Sequence, residues 1–249
     1  MDNIDCLQSE YLKVFEQIKP YMDDMRDNWH LYPNYKGWAD IDSPILFKPN
    51  ILFIGINRGD GRFRSWNWNK KKTNYSLPLD YPMPWRSHLH YTEKGNAREN
   101  EWWDDSSLRN LFPNTVCELL VRVYRNFSEY AYPYPRKKLT SVFESEVMAT
   151  NIYTMVTSKD SELRHLMRDY YKNTGVNIKM LCQKRLWNLI KLTQPKVVVL
   201  LGKTVEKDIA YIMNDLQQPY ICISRQRGWH GKENICKAAD KIYSIICND

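Results

Sequence analysis

Asn57, Asn151 and His230 are the residues whose types and positions point most directly to chemistry. The asparagines follow the apolar runs "ILFIGI" and "VMAT", and His230 follows "PYICIS" and the basic stretch "RQRGW". A carboxamide supplies two donors and one acceptor, and an imidazole titrates near neutral pH. Each asparagine alone is also typical of a turn that hydrogen-bonds its own backbone. As an ordered set at strand ends, the three predict a site.

Strand and helix patterns alternate along the chain, so the elements that carry these residues belong to an α/β fold. We predict a single domain over 1–249, a three-layer α/β/α arrangement with a central, mainly parallel sheet. Apolar runs predict strands, and apolar residues at helical spacing predict helices. The predicted strands cover 50–56, 147–157, 197–201 and 219–224. The predicted helices cover 8–27, which Pro20 would kink or split, 107–130, 161–174 with a stop at Gly175, 178–194, 203–216 and 233–246.

Four polar turns fall at the carboxyl ends of these strands, where parallel sheets bind their ligands. The turns cover 57–61, 151–158, 202–204 and 224–231. We therefore expect them to meet at one edge of the sheet and to form the site there.

Residues 60–106 interrupt the alternation with an aromatic, basic and proline-rich segment. A loop of that length is usually functional in a compact domain, so we interpret it as an insertion close to the site. Its tryptophans, with Trp66 and Trp68 nearest the glycine turn, either stack on unpaired bases beside the lysines at 70–72 or form a small core of the insertion itself.

Charge and motif spacing narrow the function classes. The net charge of +7 favours polyanionic partners without proving one. "GKT" at 202–204 lacks the glycine that a phosphate-binding loop needs at 197, and glycines 55, 59 and 61 do not have dinucleotide-binding spacing. The six cysteines form no CxxC pair, and His88 and His90 have no evident third ligand, so we expect no metal and no other cofactor.

Four stretches, in this order, resemble the uracil-DNA glycosylase superfamily, and most closely its mismatch-specific uracil/thymine branch. "ILFIGINRG" is similar to the first motif of that family, in which a strand ends in Gly-Ile-Asn-Pro-Gly. "ATNIYT" resembles the strand whose terminal asparagine reads the target base. "CQKRLWNLIKLTQPKVVVLLGKTV" resembles the helix, strand and glycine turn before the last motif, and "ISRQRGWHG" occupies the place of the histidine-containing loop that closes on DNA.

The resemblance implies a uracil-DNA-glycosylase-like fold and a role for each matching residue. Asn57 would orient the attacking water, Asn151 would pair with a pyrimidine base, and His230 would stabilise the departing anion. The implied base-binding set is Gly55, Ile56, Arg58, Gly59, Trp66 and Asn151, and the implied contacts to the nucleic-acid backbone are Lys203, Ser224, Arg225 and Arg227.

The implied function is hydrolysis of the N-glycosidic bond of a uracil-type or otherwise damaged base, flipped out of single-stranded, mismatched or damaged DNA. The sequence departs from the family at Arg58, where a proline is usual, and at Trp229-His230-Gly231, where His-Pro-Ser is familiar. Two alternatives therefore stay open: a catalytically inactive nucleic-acid-binding module on the same fold, and an enzyme that acts on a free nucleotide or nucleoside. RNA in place of DNA also stays open.

The sequence contains no apolar run of about 18 residues, the length that a membrane-spanning helix needs. Its N-terminal segment is acidic and amphipathic, unlike a signal peptide. We therefore expect a soluble protein of the cytoplasm, associated with the nucleoid in a bacterium.

Overall fold

The computed structural model describes residues 2–28, 41, 43, 45–57, 111–124, 142, 145–155, 157, 160–224 and 229–247. Helices and strands alternate along them, as predicted. The helices are α1 (Asp2–Glu16), α2 (Lys19–Asn28), α3 (Leu111–Tyr124), α4 (Asp160–Thr174), α5 (Ile178–Thr193), α6 (Lys203–Asp215) and α7 (Trp229–Cys247), and the strands are β1 (Ile51–Asn57), β2 (Val147–Tyr153), β3 (Val197–Leu200) and β4 (Tyr220–Cys222).

The described strands form one sheet in the order β2-β1-β3-β4, and every pairing is parallel. β1 pairs with β2 along its whole length, from Ile51 opposite Val147 to Asn57 opposite Tyr153. β2 ends at Tyr153 rather than at 157 because its partner β1 ends at Asn57. The α/β class and the parallel sheet are confirmed.

Both faces of the sheet are buried, which explains why its strands are continuous apolar runs. Successive side chains of β1 point to opposite faces. Leu52 and Ile54 pack in a core with α1, α2, α4, α5 and α6, whereas Ile51 and Phe53 pack with α3 and α7. Helices therefore cover both faces, and none of the described ones combines the length and apolarity that a bilayer crossing needs.

The strand order follows from right-handed connections. The chain steps from β1 to β2 with α3 on one face, crosses back over β1 to β3 with α4 and α5 on the other face, and continues through α6 to β4 on that same face. Parallel crossovers are almost always right-handed, so a reversal of direction requires a change of face. The reversal makes the carboxyl ends of β1 and β3 the switch point of the sheet, where ligands bind in such folds.

A segment before β1 covers the free edge of β2, the outer strand of the described sheet on that side. The backbone N–H of Ala149 donates to Ser43 Oγ at 2.8 Å, and Ile41 forms an antiparallel bridge with Thr150. Cover of this kind satisfies the backbone groups of an edge strand and blocks its pairing with another chain.

Local signals set several helix ends. The helix is interrupted at 17–18, between α1 and α2. Pro20 is the second residue of α2, where its missing N–H costs no helical hydrogen bond. Gly175 ends α4 with a φ of 73°, a conformation that favours glycine. The side chain of Asn177 caps α5 by accepting from the N–H of Met180 at 3.2 Å. The predicted break at the proline and the predicted glycine stop are confirmed.

Helix α7 begins at Trp229, four residues before its predicted start at 233. Among the residues of α7 whose side chains the structure describes, the buried apolar ones begin at Ile235, and the sequence before it shows no helical period of apolar residues. The backbone of His230 therefore lies in the first turn of α7, and its predicted position in a loop is wrong.

Truncation of Leu52 tests the central position of β1. Leu52 is fully buried, so we expect Leu52→Ala to lower the free energy of unfolding by about 2 to 5 kcal/mol. Leu12→Ala removes the same atoms from a side chain that is 36% exposed on α1 and is expected to cost less than about 1 kcal/mol. Urea denaturation followed by circular dichroism measures both losses, and equal losses would contradict this core.

Candidate functional site

The backbones of the two predicted asparagines lie on neighbouring strands at the carboxyl edge of the sheet. Asn151 lies opposite Gly55 in the register, and Asn57 lies two residues beyond Gly55, opposite Tyr153. Strand spacing and rise put the Cα atoms of the two asparagines roughly 8 Å apart. The parallel register thus brings together two residues that are far apart in the chain.

Asn151 is buried, and its backbone is held from outside the sheet. The residue is 6% exposed, and its carbonyl oxygen accepts a hydrogen bond from the buried side chain of Arg185. Ile56, another residue of the predicted base-binding set, is also buried and belongs to the core shared with α1 and α5. A contact between Ile56 and a ligand would therefore use the backbone.

Helix α6 begins at the carboxyl end of β3, beside β1. Gly202 precedes it with a φ of 125°, which favours glycine, and Lys203 is its first residue. Lys203 Nζ lies 2.9 Å from Glu206 Oε2, and this hydrogen bond raises the pKa of Lys203 above its usual value. The ammonium is exposed and charged, but a phosphate at this point would share it with Glu206.

The end of β4 contributes a thiol and the half-buried Ser224. Burial, followed by the negative charge of Glu206, raises the pKa of Cys222 to about 11. A thiol with this pKa is neutral at pH 7, and the thiolate is the nucleophilic form. We therefore expect Cys222 to be a weak nucleophile at neutral pH.

The backbone of His230 lies on the carboxyl side of the sheet. Helix α7 starts there after β4 and ends at the amino side, where Lys196 Nζ donates to the carbonyl of Ile246 at 3.4 Å. The first N–H groups of a helix have no intrahelical partner and carry partial positive charge, so they suit an anion. The predicted residues Arg58, Gly59, Trp66, Arg225 and Arg227 lie outside the described residues, as does the insertion at 60–106.

A carboxylate that the sequence did not mark joins three helices to the end of β2. Asp208 Oδ2 on α6 accepts from Tyr153 Oη at 2.9 Å and from Arg164 Nη2 at 3.3 Å. Lys179 Nζ lies 3.5 Å from Oδ1, and Gln183 Nε2 donates to the backbone carbonyl of Asp208 at 2.8 Å. The carboxylate of Asp208 thus joins α4 and α5 to Tyr153, whereas the backbone contact from Gln183 joins only α5 to α6.

Tyr153 connects this cluster to the predicted amides because it ends β2 opposite Asn57. Burial, followed by the negative charge of Asp208, raises the pKa of Tyr153 well above its usual value. The phenol therefore stays neutral and serves as a hydrogen-bond donor rather than as an acid. Tyr153 and Asp208 are 55 residues apart in the chain, so no local pattern could have linked them.

A surface hollow of about 250 Å³ lies at the opposite, amino edge of the sheet. It is formed where α5 and α6 end, before β3 and β4 begin. The hollow is therefore separate from the candidate site, which lies at the carboxyl edge. The lining residues are Ile190, Lys191, Gln194, Pro195, Leu216 and Gln218.

Hydrogen bonding and positioning are the chemistry that the candidate residues offer. An amide is a poor base, so it can orient a water or a heterocycle but does not take a proton readily. Within the described ranges, no three His, Cys, Asp or Glu side chains are grouped as the ligands of one metal ion would be.

Comparison with known proteins assigns no family: no family model matches the chain, and no curated protein matches it.

The raised pKa of Cys222 has a direct test. Alkylation by iodoacetamide requires the thiolate, so a rise from 9.0 to about 11 slows the reaction at pH 8 by about 100-fold. We expect the rate at Cys222 to increase as the pH rises toward 11. Peptide mass spectrometry measures it, with the exposed Cys6 as the internal reference. Equal labelling of the two cysteines at pH 8 would contradict the burial of Cys222 beside Glu206.

Proposed function

We propose that the protein hydrolyses the N-glycosidic bond of a uracil-type or otherwise damaged base that is flipped out of DNA. One observation carries the proposal: Asn151 stands opposite Gly55, and Asn57 follows two residues later, on paired strands at the carboxyl edge. The resemblance of the sequence to uracil-DNA glycosylases requires two amides at such an edge. The parallel α/β sheet and the start of α7 on the same side also support it.

The two amides divide the work by their positions. Asn57 orients a water toward the sugar carbon, on which positive charge develops as the bond to the base breaks. Asn151 presents an acceptor and two donors on one rigid amide, which match the N3–H and O4 of a pyrimidine. A purine in the same pose offers a different pattern and leaves the amide unpaired.

The leaving base departs as an anion and needs a partner for its charge. The first turn of α7 offers N–H groups without intrahelical partners, and His230 belongs to that turn. Flipping a base out of the stack costs a few kcal/mol of free energy. This cost is smallest at damaged, mismatched or single-stranded sites, so these are favoured as substrates.

Contacts to the DNA backbone come from the turns around this edge. Lys203, Ser224, Arg225 and Arg227 are the proposed phosphate contacts, and the net charge of +7 favours a polyanion. Each phosphate that a cation neutralises makes the affinity fall further as salt increases.

Base excision tests the proposal. We expect the protein to leave alkali-labile abasic sites in oligonucleotides that contain uracil, on a panel that includes other deaminated and mismatched bases in single and double strands. Asn57→Ala is expected to lower kcat roughly 100-fold because no residue then positions the water. Asn151→Ala is expected to lower kcat/KM by a similar factor because the base is held less well. A gel assay after alkali treatment measures both.

Asn214→Ala is the matched control, since it changes an exposed asparagine on α6 and should leave the rate unchanged. The absence of abasic sites on every substrate at high protein concentration would refute the activity. A rate that Asn57→Ala and Asn151→Ala do not change would refute the proposed site.

A catalytically inactive nucleic-acid-binding module on the same fold is the second candidate. Arg58 and Trp229-His230-Gly231 favour it, since both depart from the resembled family next to the proposed water and leaving group. For a module of this kind, we expect salt-dependent DNA binding that Asn57→Ala leaves unchanged, with no abasic product. Fluorescence anisotropy across a salt series measures the binding. Release of a base from free nucleosides or nucleotides alone would instead indicate a small-molecule enzyme.

A further inference from the structure

Arg185 lies between α5, α1 and the end of β2, and it is the largest of the fully buried side chains that the structure describes. Its Nη1 donates to Tyr11 Oη at 3.2 Å and to Thr150 Oγ1 at 3.4 Å. Its Nη2 donates to the backbone carbonyls of Asn151 and, at 3.2 Å, Ile152. One guanidinium thus contacts three consecutive residues of β2.

The position of β2 explains why a donor is needed there. β2 pairs with β1 along one of its sides, and in the described sheet no further strand runs along its other side. Ser43 and Ile41 contact this edge at positions 149 and 150, and Arg185 donates to the next two carbonyls of β2, those of Asn151 and Ile152. A buried carbonyl without a donor costs about 1 to 3 kcal/mol. The hydrogen bonds from the guanidinium therefore hold the end of β2 in one conformation.

We propose that Arg185 is the positioning residue for base recognition: it holds the backbone of Asn151 from behind so that the amide faces the base. This role rests on the proposed function. Arg185 touches neither the base nor the water and acts only through Asn151.

Arginine suits this role better than lysine. A guanidinium carries its N–H groups in a rigid planar fork, so the two ends can serve a tyrosine and two carbonyls together. An ammonium on a flexible stem can reach one of these groups at a time. Lysine therefore keeps the charge and loses the fixed geometry.

The test compares Arg185→Lys with Gln183→Met. Gln183 lies two residues earlier on α5, is also buried and also donates to a backbone carbonyl, but that carbonyl belongs to Asp208 on α6. Both variants lose a buried donor to a backbone carbonyl, and only Arg185→Lys releases the end of β2. For Arg185→Lys we expect kcat on uracil-containing DNA to fall roughly 10- to 100-fold with little change in KM, because misplacement of a recognition group affects the reacting geometry. The preference for uracil over thymine should fall as well. Gln183→Met should change neither.

A second readout needs no catalysis. In protein labelled with ¹⁵N-asparagine, the side-chain amide signal of Asn151 is identified by its loss in Asn151→Asp. We expect that signal to shift in Arg185→Lys and to stay in place in Gln183→Met. Should Arg185→Lys not fold, Tyr11→Phe removes one acceptor of the guanidinium while keeping the ring, and the same signal should shift by a smaller amount.

The excision kinetics and the Asn151 amide signal together distinguish failure of the positioning role from failure of the glycosylase activity. A shifted Asn151 signal in a protein that excises nothing would uphold the positioning role and refute the glycosylase activity. An unshifted signal, or a wild-type kcat and uracil preference in folded Arg185→Lys, would overturn the positioning role and leave the activity standing.

Discussion

The parallel pairing of β1 with β2 is the constraint on which the candidate site depends. Side chains alternate along a strand, so a slip of one residue would turn every side chain of β2 to the other face. Both faces are filled with apolar side chains, so such a slip would exchange the side chains of β2 between two differently packed cores and would move Asn151 to the other face. The packing of Met148 and Ala149 into opposite cores thus fixes where Asn151 stands relative to Gly55 and Asn57. Hydrophobic burial sets the geometry of the polar edge.

Elements that depend on local pattern could be predicted from the sequence, and elements that depend on distant contacts could not. The apolar run before Asn57, the break at Pro20 and the stop at Gly175 are local, and all three were predicted correctly. The buried roles of Arg185 and Asp208 depend on partners brought together by tertiary packing. Both residues lie in amphipathic helices, where a charged residue ordinarily faces water. The family resemblance remains a prediction, because no comparison supports or contradicts it.

The two edges of the sheet differ in chemistry as well as in position. At the amino edge, helices α5 and α6 end beside a shallow hollow, and the connections to β3 and β4 are short. At the carboxyl edge, several polar side chains are largely removed from solvent. They are Tyr153 and Asp208 on one face, and Arg185 beside β2. Buried polar groups cost stability unless each has a partner, and these have partners from several elements. A fold that gathers them at one end holds that end rigid, which suits a site that works by positioning.

The two amides of the proposed site are held in different ways, and this difference affects how each can change. Asn57 ends β1 three residues beyond Ile54, where pairing with β3 stops, and its register partner is Tyr153 of β2. Asn151 lies two residues before the end of β2, the outer strand of the described sheet on that side, and its carbonyl oxygen accepts from Arg185. A change at Arg185 therefore reaches Asn151 directly, whereas it reaches Asn57 only through the pairing of β2 with β1. If the strands supply water positioning and base reading as proposed, base preference can shift through residues behind β2 while the position of the water stays fixed.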